Sequence, residues 1–316
     1  MLRFEVLSPG LFTTLQDLGR FGFEDQGVPP AGTMDEFSAS IANALVDNPA
    51  DTGVLELTLT GPTLHLAGDA PVYVALTGHL AINLNGKPQV GYQCFKLQPG
   101  DILSIPRVLS GARGYLAVAG GFRAKPVMGS VSTLVRAGLG GFAGRQLIKG
   151  DSLPLLSSRK PPVINQLTQR ILPQQERRPI RMIWGPQDDY FSDEAKRAFT
   201  SSSWTLSDQC DRMGYRLSGM AIPHEKGFNI VSDAIARGSI QIPGNGQPIV
   251  AMNDRQTTGG YPKIATVIRA DHARMGQFKP GETLSFEAVS VGKAEDLWRG
   301  RQALFQQWLW AIRAGE

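Results

Sequence analysis

The sequence predicts a mainly β protein built from two β-barrel domains that arose by internal duplication, with a few helices including one at the C-terminus. The 36 glycines and 21 prolines are spread between short runs of Val, Ile, Leu and Thr, a pattern typical of many short strands joined by tight turns. Segments of the first half also recur in the same order in the second half. At 316 residues the chain is long enough for two domains that each bury a core.

The internal repeat consists of three matches. The longest aligns GPTLHLAGDAPVYVAL (Gly61–Leu76) with GSIQIPGNGQPIVAMN (Gly238–Asn253) without a gap, strand on strand. The other two matches are Leu97–Ile105 with Phe278–Phe286, and Arg20–Gly27 with Arg212–Gly219. From these matches and a segment rich in Pro and charge between them, we predict an N-terminal barrel over 1–160, a linker over 161–178, a C-terminal barrel over 179–290 and a C-terminal helix over 291–316.

Two stretches have the side-chain spacing of helices. Thr33 and Glu36 have capping-box spacing and open an apolar-periodic run that ends at Asn48-Pro49. Between Lys293 and Arg313, apolar residues recur at helical spacing, and the polar positions carry charges of both signs. We therefore expect the second helix to pack on its own domain or on a partner protein rather than on a membrane.

Composition excludes several functional classes. The formal net charge of +4 is dispersed along the chain, so nucleic acid is not an expected partner. The N-terminus lacks the apolar core of a signal peptide, and no apolar run is long enough to cross a membrane, so a soluble cytoplasmic protein is expected. Cys94 and Cys210 are far apart and the four histidines are scattered, so we predict neither a disulfide framework nor a metal site.

The segment Arg237–Ile264 has the features of a ligand-binding site. SIQI and PIVAM, joined by Pro-Gly-Asn-Gly, predict a β-hairpin. The polar loop that follows, Asn253–Tyr261, has six polar residues in a row before a double glycine. A purely structural loop rarely needs so many different hydrogen-bonding groups, whereas a loop that orients a polar ligand does.

A second glycine-rich segment, Lys125–Arg145, allows two interpretations. Ser130, Ser132, Thr133 and Arg145 could form an anion cradle for a carboxylate, a phosphate or a nucleotide. Alternatively, the segment is a long loop that closes a barrel and uses glycine for its tight turns.

Several motifs in order carry a resemblance to a known family. They are TTLQDLGRFG, GYLAVAGGF, PVMGSVST, DRMGYRLSG and GSIQIPGNGQPIVAMNDRQTTGGYP. On these motifs the chain resembles, from about Leu7 to Phe286, the biotin-dependent carboxyltransferase family. This group contains the C component of 5-oxoprolinase, the KipI antagonist KipA and the allophanate hydrolase subunit 2 region of urea amidolyase.

The resemblance implies a pair of cyclophilin-like barrels and an obligate partner, the KipI-like B component. In the 5-oxoprolinase system a LamB/YcsF-like A component completes an enzyme that hydrolyses 5-oxo-L-proline to L-glutamate with ATP. One alternative is a biotin-dependent carboxyltransferase acting on urea or a similar amide; because no biotinylation segment is present, another chain would then carry the biotin. The other is a KipA-type antagonist that binds its KipI-like partner.

Both activities act on a small amide-like substrate whose carbonyl must be polarised and whose nitrogen must be held. We predict a binding set of amides, hydroxyls, a glycine and cations from the second half of the chain. Its members are Gln241, Asn245, Asn253, Arg255, Thr257, Thr258, Gly259 and Lys263. Asp254 is the predicted acid, base or orienting group, with Gln256 and Tyr261 beside it as catalytic candidates.

Overall fold

A computed structural model describes residues 1–156 and 178–314 of the chain. All of the predicted linker 161–178 except its last residue therefore lies outside the described residues. The described residues form two compact units. Those of the first lie within Met1–Arg20, Ala31–Gln174 and Leu304–Glu316, and those of the second within Phe21–Pro30 and Gln175–Ala303. The predicted domain boundaries stay a prediction.

In its described residues, the first unit has a nine-stranded sheet around an apolar core. Its strands are β1 Arg3–Ser8, β2 Phe12–Gln16, β3 Val54–Thr58, β4 Thr63–Ala67, β5 Val72–Leu84, β6 Lys87–Gln89, β7 Cys94–Leu97, β8 Ile102–Val118 and β9 Ser152–Pro154. Strand β8 pairs along its length with β5, while its start pairs with β4 and its end with β3. One long strand thus joins the two halves of the sheet.

The second unit has an eight-stranded sheet and a separate two-stranded ribbon in its described residues. The strands are β10 Ile180–Trp184, β11 Trp204–Leu206, β12 Gly214–Ser218, β13 Asp233–Ala234, β14 Ser239–Gln241, β15 Ile249–Ala251, β16 Thr258–Gly259, β17 Lys263–Val267, β18 Thr283–Leu284 and β19 Phe286–Ala288. The sheet runs β18-β11-β12-β15-β14-β17-β10-β19, and the ribbon is β13-β16. Because only Ser285 separates the two edge strands β18 and β19, the edges must meet, and the sheet is a nearly closed barrel.

The described residues contain four α-helices: α1 Glu36–Leu45, α2 Asp193–Ser201, α3 His272–Gly276 and α4 Val291–Ala314. Both predicted helices are confirmed. The N-cap of α1 is Asp35, whose carboxylate accepts a hydrogen bond from the Ser38 amide at 3.1 Å, so the capping position predicted at Thr33 is wrong by two residues. Trp308 and Ile312 of α4 are buried in an apolar cluster of the first unit with Ile41 and Leu45 of α1.

The repeated segments agree in one place and differ in others. The Pro-Gly turns before β8 and β18 have the same hydrogen bonds, because the carboxylates of Asp101 and Glu282 each accept from the amide three residues earlier. By contrast, β14 pairs directly with β15, whereas β4 and β5 each pair with β8. The mainly β class and the C-terminal helix are confirmed.

Candidate functional site

The polar loop Asn253–Tyr261 leaves the barrel of the second unit at the end of β15 and returns to it before β17. The predicted hairpin is confirmed: β14 and β15 pair antiparallel, with Ile240 opposite Val250. The start of the loop is buried and its middle is exposed, so its polar residues fall into two groups.

Asp254 lies in the buried group and is paired with Arg212. The guanidinium Nε and Nη2 donate to the two carboxylate oxygens at 3.0 and 2.9 Å, and both side chains are less than a tenth exposed. The Asp254 amide also donates to the Arg212 carbonyl at 2.8 Å. This bidentate geometry fixes the entry of the loop against the segment just before β12. It also engages both carboxylate oxygens of the predicted acid or base.

Arg255 is likewise held inside the second unit. Its Nε donates to the Ile235 carbonyl at 2.8 Å, and its Nη2 donates to Glu24 at 2.5 Å. Burial lowers the pKa of Arg255 from its ordinary value, although Glu24 opposes this effect. The guanidinium therefore joins three separate segments of the unit.

Lys263, the first residue of β17, is the centre of a second polar group. Its Nζ donates to Asp233 Oδ2 at 2.6 Å and to the Ala234 carbonyl at 3.0 Å, and the side chain is 3% exposed. Gln187 Nε2 donates to the same Asp233 oxygen at 3.2 Å, and Gln187 Oε1 accepts from the Lys263 amide at 3.3 Å. The hydrogen bond from Lys263 is the main reason that the pKa of Asp233 is lowered.

Gln241 and Gly259 complete this group, which we call the lysine cluster: Gln187, Asp233, Gln241, Gly259 and Lys263. Gln241 lies opposite Lys263 in the β14–β17 register, and Gly259 lies opposite Asp233 in the ribbon. A side chain at position 259 would place its Cβ 2.8 Å from Gln241 Nε2. Glycine at this position therefore lets the loop backbone approach the Gln241 amide.

The predicted site residues are only partly brought together. Four of them lie together where the ribbon meets β17: Gln241, Thr258, Gly259 and Lys263. By contrast, Asp254 is paired with Arg212 and Arg255 with Glu24. Asn253 is buried, and Asn245 accepts from the Gln247 amide at 3.1 Å within the hairpin turn. Among the residues that the structure describes, no hydrogen bond engages the side chains of Gln256, Thr257, Thr258 and Tyr261, which are exposed or partly exposed.

Sequence reasoning missed Gln187 and Asp233. Gln187 follows β10 in the turn WGPQ, where a Cβ on Gly185 would lie 2.2 Å from the Lys263 carbonyl oxygen. The close approach of this turn to β17 requires glycine and brings Gln187 beside the lysine. The Gly-Pro pair marks a turn, but no sequence signal links it to Lys263.

The predicted anion cradle of the first unit already holds a carboxylate, that of Asp17. The hydroxyls of Ser130 and Ser132 donate to Asp17 Oδ1 at 2.6 and 2.5 Å, and the Val131 amide donates to Oδ2 at 2.7 Å. Thr133 Oγ1 donates to the Leu15 carbonyl at 2.8 Å. These contacts favour the interpretation as a structural loop.

Arg145 is engaged as well. Its Nη1 and Nη2 each donate to Asp151 at 2.8 Å, and this hydrogen bonding raises the pKa of Arg145 and lowers that of Asp151. In the described ranges, no cluster of His, Cys, Asp or Glu suits a metal ion. Across residues 1–156 and 178–314, no helix has the length and apolar character needed to span a bilayer.

Comparison with known proteins gives consistent results. The family model for the carboxyltransferase domain, subdomain A and B, matches residues 26–288. The chain is 37% identical to the C component of 5-oxoprolinase from Escherichia coli over 309 residues, which is 98% of both chains. It is also 37% identical to the C component of 5-oxoprolinase from Haemophilus influenzae over 295 residues, which is 93% of this chain and 94% of that protein.

A solved structure shares the fold over almost the whole chain. The crystal structure of urea amidolyase from K. lactis superposes with a TM-score of 0.89 at 30% identity, covering 97% of this chain and 20% of that one. The family match covers most of the sequence, and the bacterial relatives exceed 30% identity over nearly their full length. The chain belongs to the carboxyltransferase domain family, subdomain A and B.

Proposed function

We propose that the chain is the C component of an ATP-dependent 5-oxoprolinase, which hydrolyses 5-oxo-L-proline to L-glutamate. The observation that carries this proposal is the match to the E. coli 5-oxoprolinase component, which covers 98% of both chains. The same chain corresponds to only 20% of the K. lactis urea amidolyase. The bacterial 5-oxoprolinase components are also more similar to this chain in sequence, at 37% identity, than the urea amidolyase is, at 30%.

The lysine cluster suits a small cyclic amide. The substrate has a carbonyl oxygen that gains negative charge as its carbon is attacked, and a ring N–H that must be oriented. Lys263 Nζ donates to two acceptors in the described residues, which leaves one of its three protons for a substrate oxygen. Gln241 has both a donor and an acceptor, so its amide can bond the ring N–H. A charged donor at the developing oxyanion is an effective source of transition-state stabilisation.

The roles predicted for the polar loop divide along the same lines. The substrate is offered neutral hydroxyl and amide groups by four residues of the loop: Gln256, Thr257, Thr258 and Tyr261. The Tyr261 side chain is 40% exposed. Asp254 has both oxygens on Arg212 and Arg255 donates to Glu24, so we assign these two residues to holding the loop in place. Asp254 then acts in catalysis only through the geometry it maintains.

ATP is the expected co-substrate of the complex. The loop with Ser130, Ser132 and Thr133 does not fit a nucleotide phosphate, because its donors are already used within the first unit. The two serine hydroxyls and the Val131 amide donate to the Asp17 carboxylate, and the Thr133 hydroxyl donates to a backbone carbonyl. We therefore place ATP with another component, and we propose the KipI-like and LamB/YcsF-like proteins as partners. The names of both bacterial relatives describe them as parts of larger assemblies.

The test is reconstitution. The chain is purified with the KipI-like and LamB/YcsF-like proteins, and ATP-dependent release of glutamate from 5-oxoproline is measured with and without avidin. Glutamate release that needs all three components and is insensitive to avidin supports the proposal. A complex that forms but releases no glutamate contradicts it.

A second candidate is supported by the TM-score of 0.89 with a urea amidolyase. In this case the chain would transfer a carboxyl group from carboxybiotin, carried by another chain, to urea or a similar amide. Urea has the same carbonyl and N–H groups that the lysine cluster would bind. Avidin-sensitive, bicarbonate-dependent carboxylation of urea by the complex, without glutamate release, would favour this candidate.

A further inference from the structure

We propose that Asp233 is a positioning residue: it holds the Lys263 ammonium so that its remaining N–H is aimed at the reacting oxygen of the substrate, and Gln187 holds Asp233 in turn. The identity of the substrate rests on the proposed function. The contacts that carry the inference do not depend on it.

The first argument is the burial of the ammonium. Lys263 is 3% exposed, and a buried charge without a counter-charge is strongly unfavourable. Its carboxylate partner comes from the ribbon strand β13 rather than from β17, where the lysine lies. Two separate segments therefore have to be in register before the charge is stable at this position.

The second argument is that the carboxylate itself is oriented. Asp233 Oδ1 accepts from the Ala234 amide at 2.8 Å, while Oδ2 accepts from both Lys263 and Gln187. Gln187 also accepts from the backbone amide of Lys263, so one side-chain amide joins the lysine backbone to the acceptor of its ammonium. Such cross-bracing fixes Asp233 in one rotamer.

The third argument is the direction of the remaining proton. An ammonium has three N–H donors in fixed geometry, and the acceptors on Asp233 and Ala234 use two of them in the described part of the chain. Fixing two donors determines where the third one points. Asp233 is about half exposed, so solutes reach its carboxylate, whereas the Lys263 side chain as a whole is covered.

The pair Asp189–Lys226 shows what a purely structural ion pair looks like here. It also has an oxygen–nitrogen distance of 2.6 Å, and it joins the turn after β10 to the segment before β13. Both of its side chains are more than half exposed, so it holds no buried charge. Asp189→Asn is therefore the matched control.

The first experiment uses the chain alone. An amine-acylating reagent is added in a short pulse, and peptide mass spectrometry measures the rate at which Lys263 is labelled. Asp233→Asn keeps the size of the side chain but removes its charge, and we expect labelling of Lys263 to become at least about tenfold faster as the amine is released. Asp189→Asn should leave that rate unchanged. Equal rates in Asp233→Asn and the unsubstituted chain would overturn the proposal.

The second experiment measures kcat and KM in the assembled complex. We expect Asp233→Asn to lower kcat about 100-fold with little change in KM, the loss seen when one oxyanion donor is removed. Lys263→Ala should be no more active than Asp233→Asn, and the double variant should be no worse than Lys263→Ala. Additive losses would show that Asp233 acts independently of Lys263 and would overturn the proposal.

Chemical rescue separates positioning from folding. Ethylammonium added to Lys263→Ala should restore part of kcat, because Asp233 and the Ala234 carbonyl still form its binding site. The rescue should vanish in the double variant. Rescue that persists without Asp233 contradicts the inference. If Asp233→Asn does not assemble, Gln187→Ala, which changes no charge, is expected to lower kcat several-fold without altering the unfolding midpoint.

The two proposals fail in different ways. If the complex with its unsubstituted chain carboxylates urea instead of releasing glutamate, the 5-oxoprolinase assignment fails. The single and double variants are then compared by their kcat and KM for carboxylation of urea. If it has neither activity, the labelling rates alone decide whether Asp233 holds Lys263.

Discussion

Removing the Asp254 carboxylate is expected to destabilise the second unit. Asp254 and Arg212 are 7% and 5% exposed, and two charge-assisted hydrogen bonds of 2.9 and 3.0 Å join them. Asp254→Ala removes the carboxylate that is paired with a buried guanidinium, and breaking a buried ion pair in this way costs about 3–5 kcal/mol. Since domains are stable by about 5–15 kcal/mol, this is a large share of the total. At about 2–4 °C per kcal/mol the melting temperature should fall by about 6–20 °C.

The assay is urea-induced unfolding followed by tryptophan fluorescence, because Trp204 of the second unit is fully buried and reports its core. Arg212→Met combined with Asp254→Leu should recover much of the loss, since neither charge is then left unpaired. Asp189→Ala, which breaks the exposed ion pair with Lys226, should leave the midpoint unchanged.

The result that would refute this reasoning is a normal unfolding midpoint for Asp254→Ala together with loss of activity in the assembled complex. Asp254 would then be a catalytic acid or base whose pairing with Arg212 contributes nothing to folding. Loss of both stability and activity, with both restored in the paired apolar variant, would assign the residue to the scaffold.

Three further predictions concern the fold. Gly185→Ala should lower the free energy of unfolding by about 1–3 kcal/mol or more, because the added Cβ would lie 2.2 Å from the backbone of β17. Gly300→Ala, at an open helical position, should raise it by up to about 1 kcal/mol. The midpoints of urea unfolding test both changes. Trp308→Ala should cost about 3–5 kcal/mol in thermal unfolding, since the side chain is 4% exposed, and Trp310→Ala, at 62% exposed, should cost little. Burial lowers the pKa of His272 from 6.5 to about 3. Between these pH values the folded protein keeps the imidazole neutral, whereas the unfolded chain takes up a proton. The contribution of this group to the free energy of unfolding is therefore complete above about pH 6.5 and is lost as the pH falls towards 3. Urea midpoints between about pH 7 and pH 4 should therefore fall less steeply for His272→Gln than for the unsubstituted chain.

Elements set by local chemistry could be predicted from the sequence. The β14–β15 hairpin follows from two short apolar runs around Pro-Gly-Asn-Gly, and α4 follows from its apolar period. The closure of the second barrel could not be predicted in this way. It depends on β18 pairing with β11, where Leu284 lies opposite Trp204, and on β19 pairing with β10, where Phe286 lies opposite Ile180. A single sequence does not record pairings over such long separations.

The same limit applies to the candidate site. Lys263, Gln241 and Gly259 were predicted because they lie in or beside one dense polar segment. Gln187 and Asp233 come from two other segments, and only the folded backbone brings their side chains to the lysine. Polarity alone also did not separate the residues available to a ligand from Asp254, whose charge is balanced by a partner 42 positions earlier in the chain.

The arrangement of charge constrains how the substrate can be held. 5-Oxoproline has a carboxylate as well as a lactam carbonyl, whereas the lysine cluster has one ammonium with one N–H left for a ligand in the described residues. That donor can polarise the carbonyl or bind the carboxylate, but not both at once. If Lys263 serves the carbonyl, a cation outside the cluster has to bind the carboxylate. Isothermal titration should then show that the chain alone binds 5-oxoproline much more weakly than the assembled complex does, and equal affinities would place the missing cation in this chain.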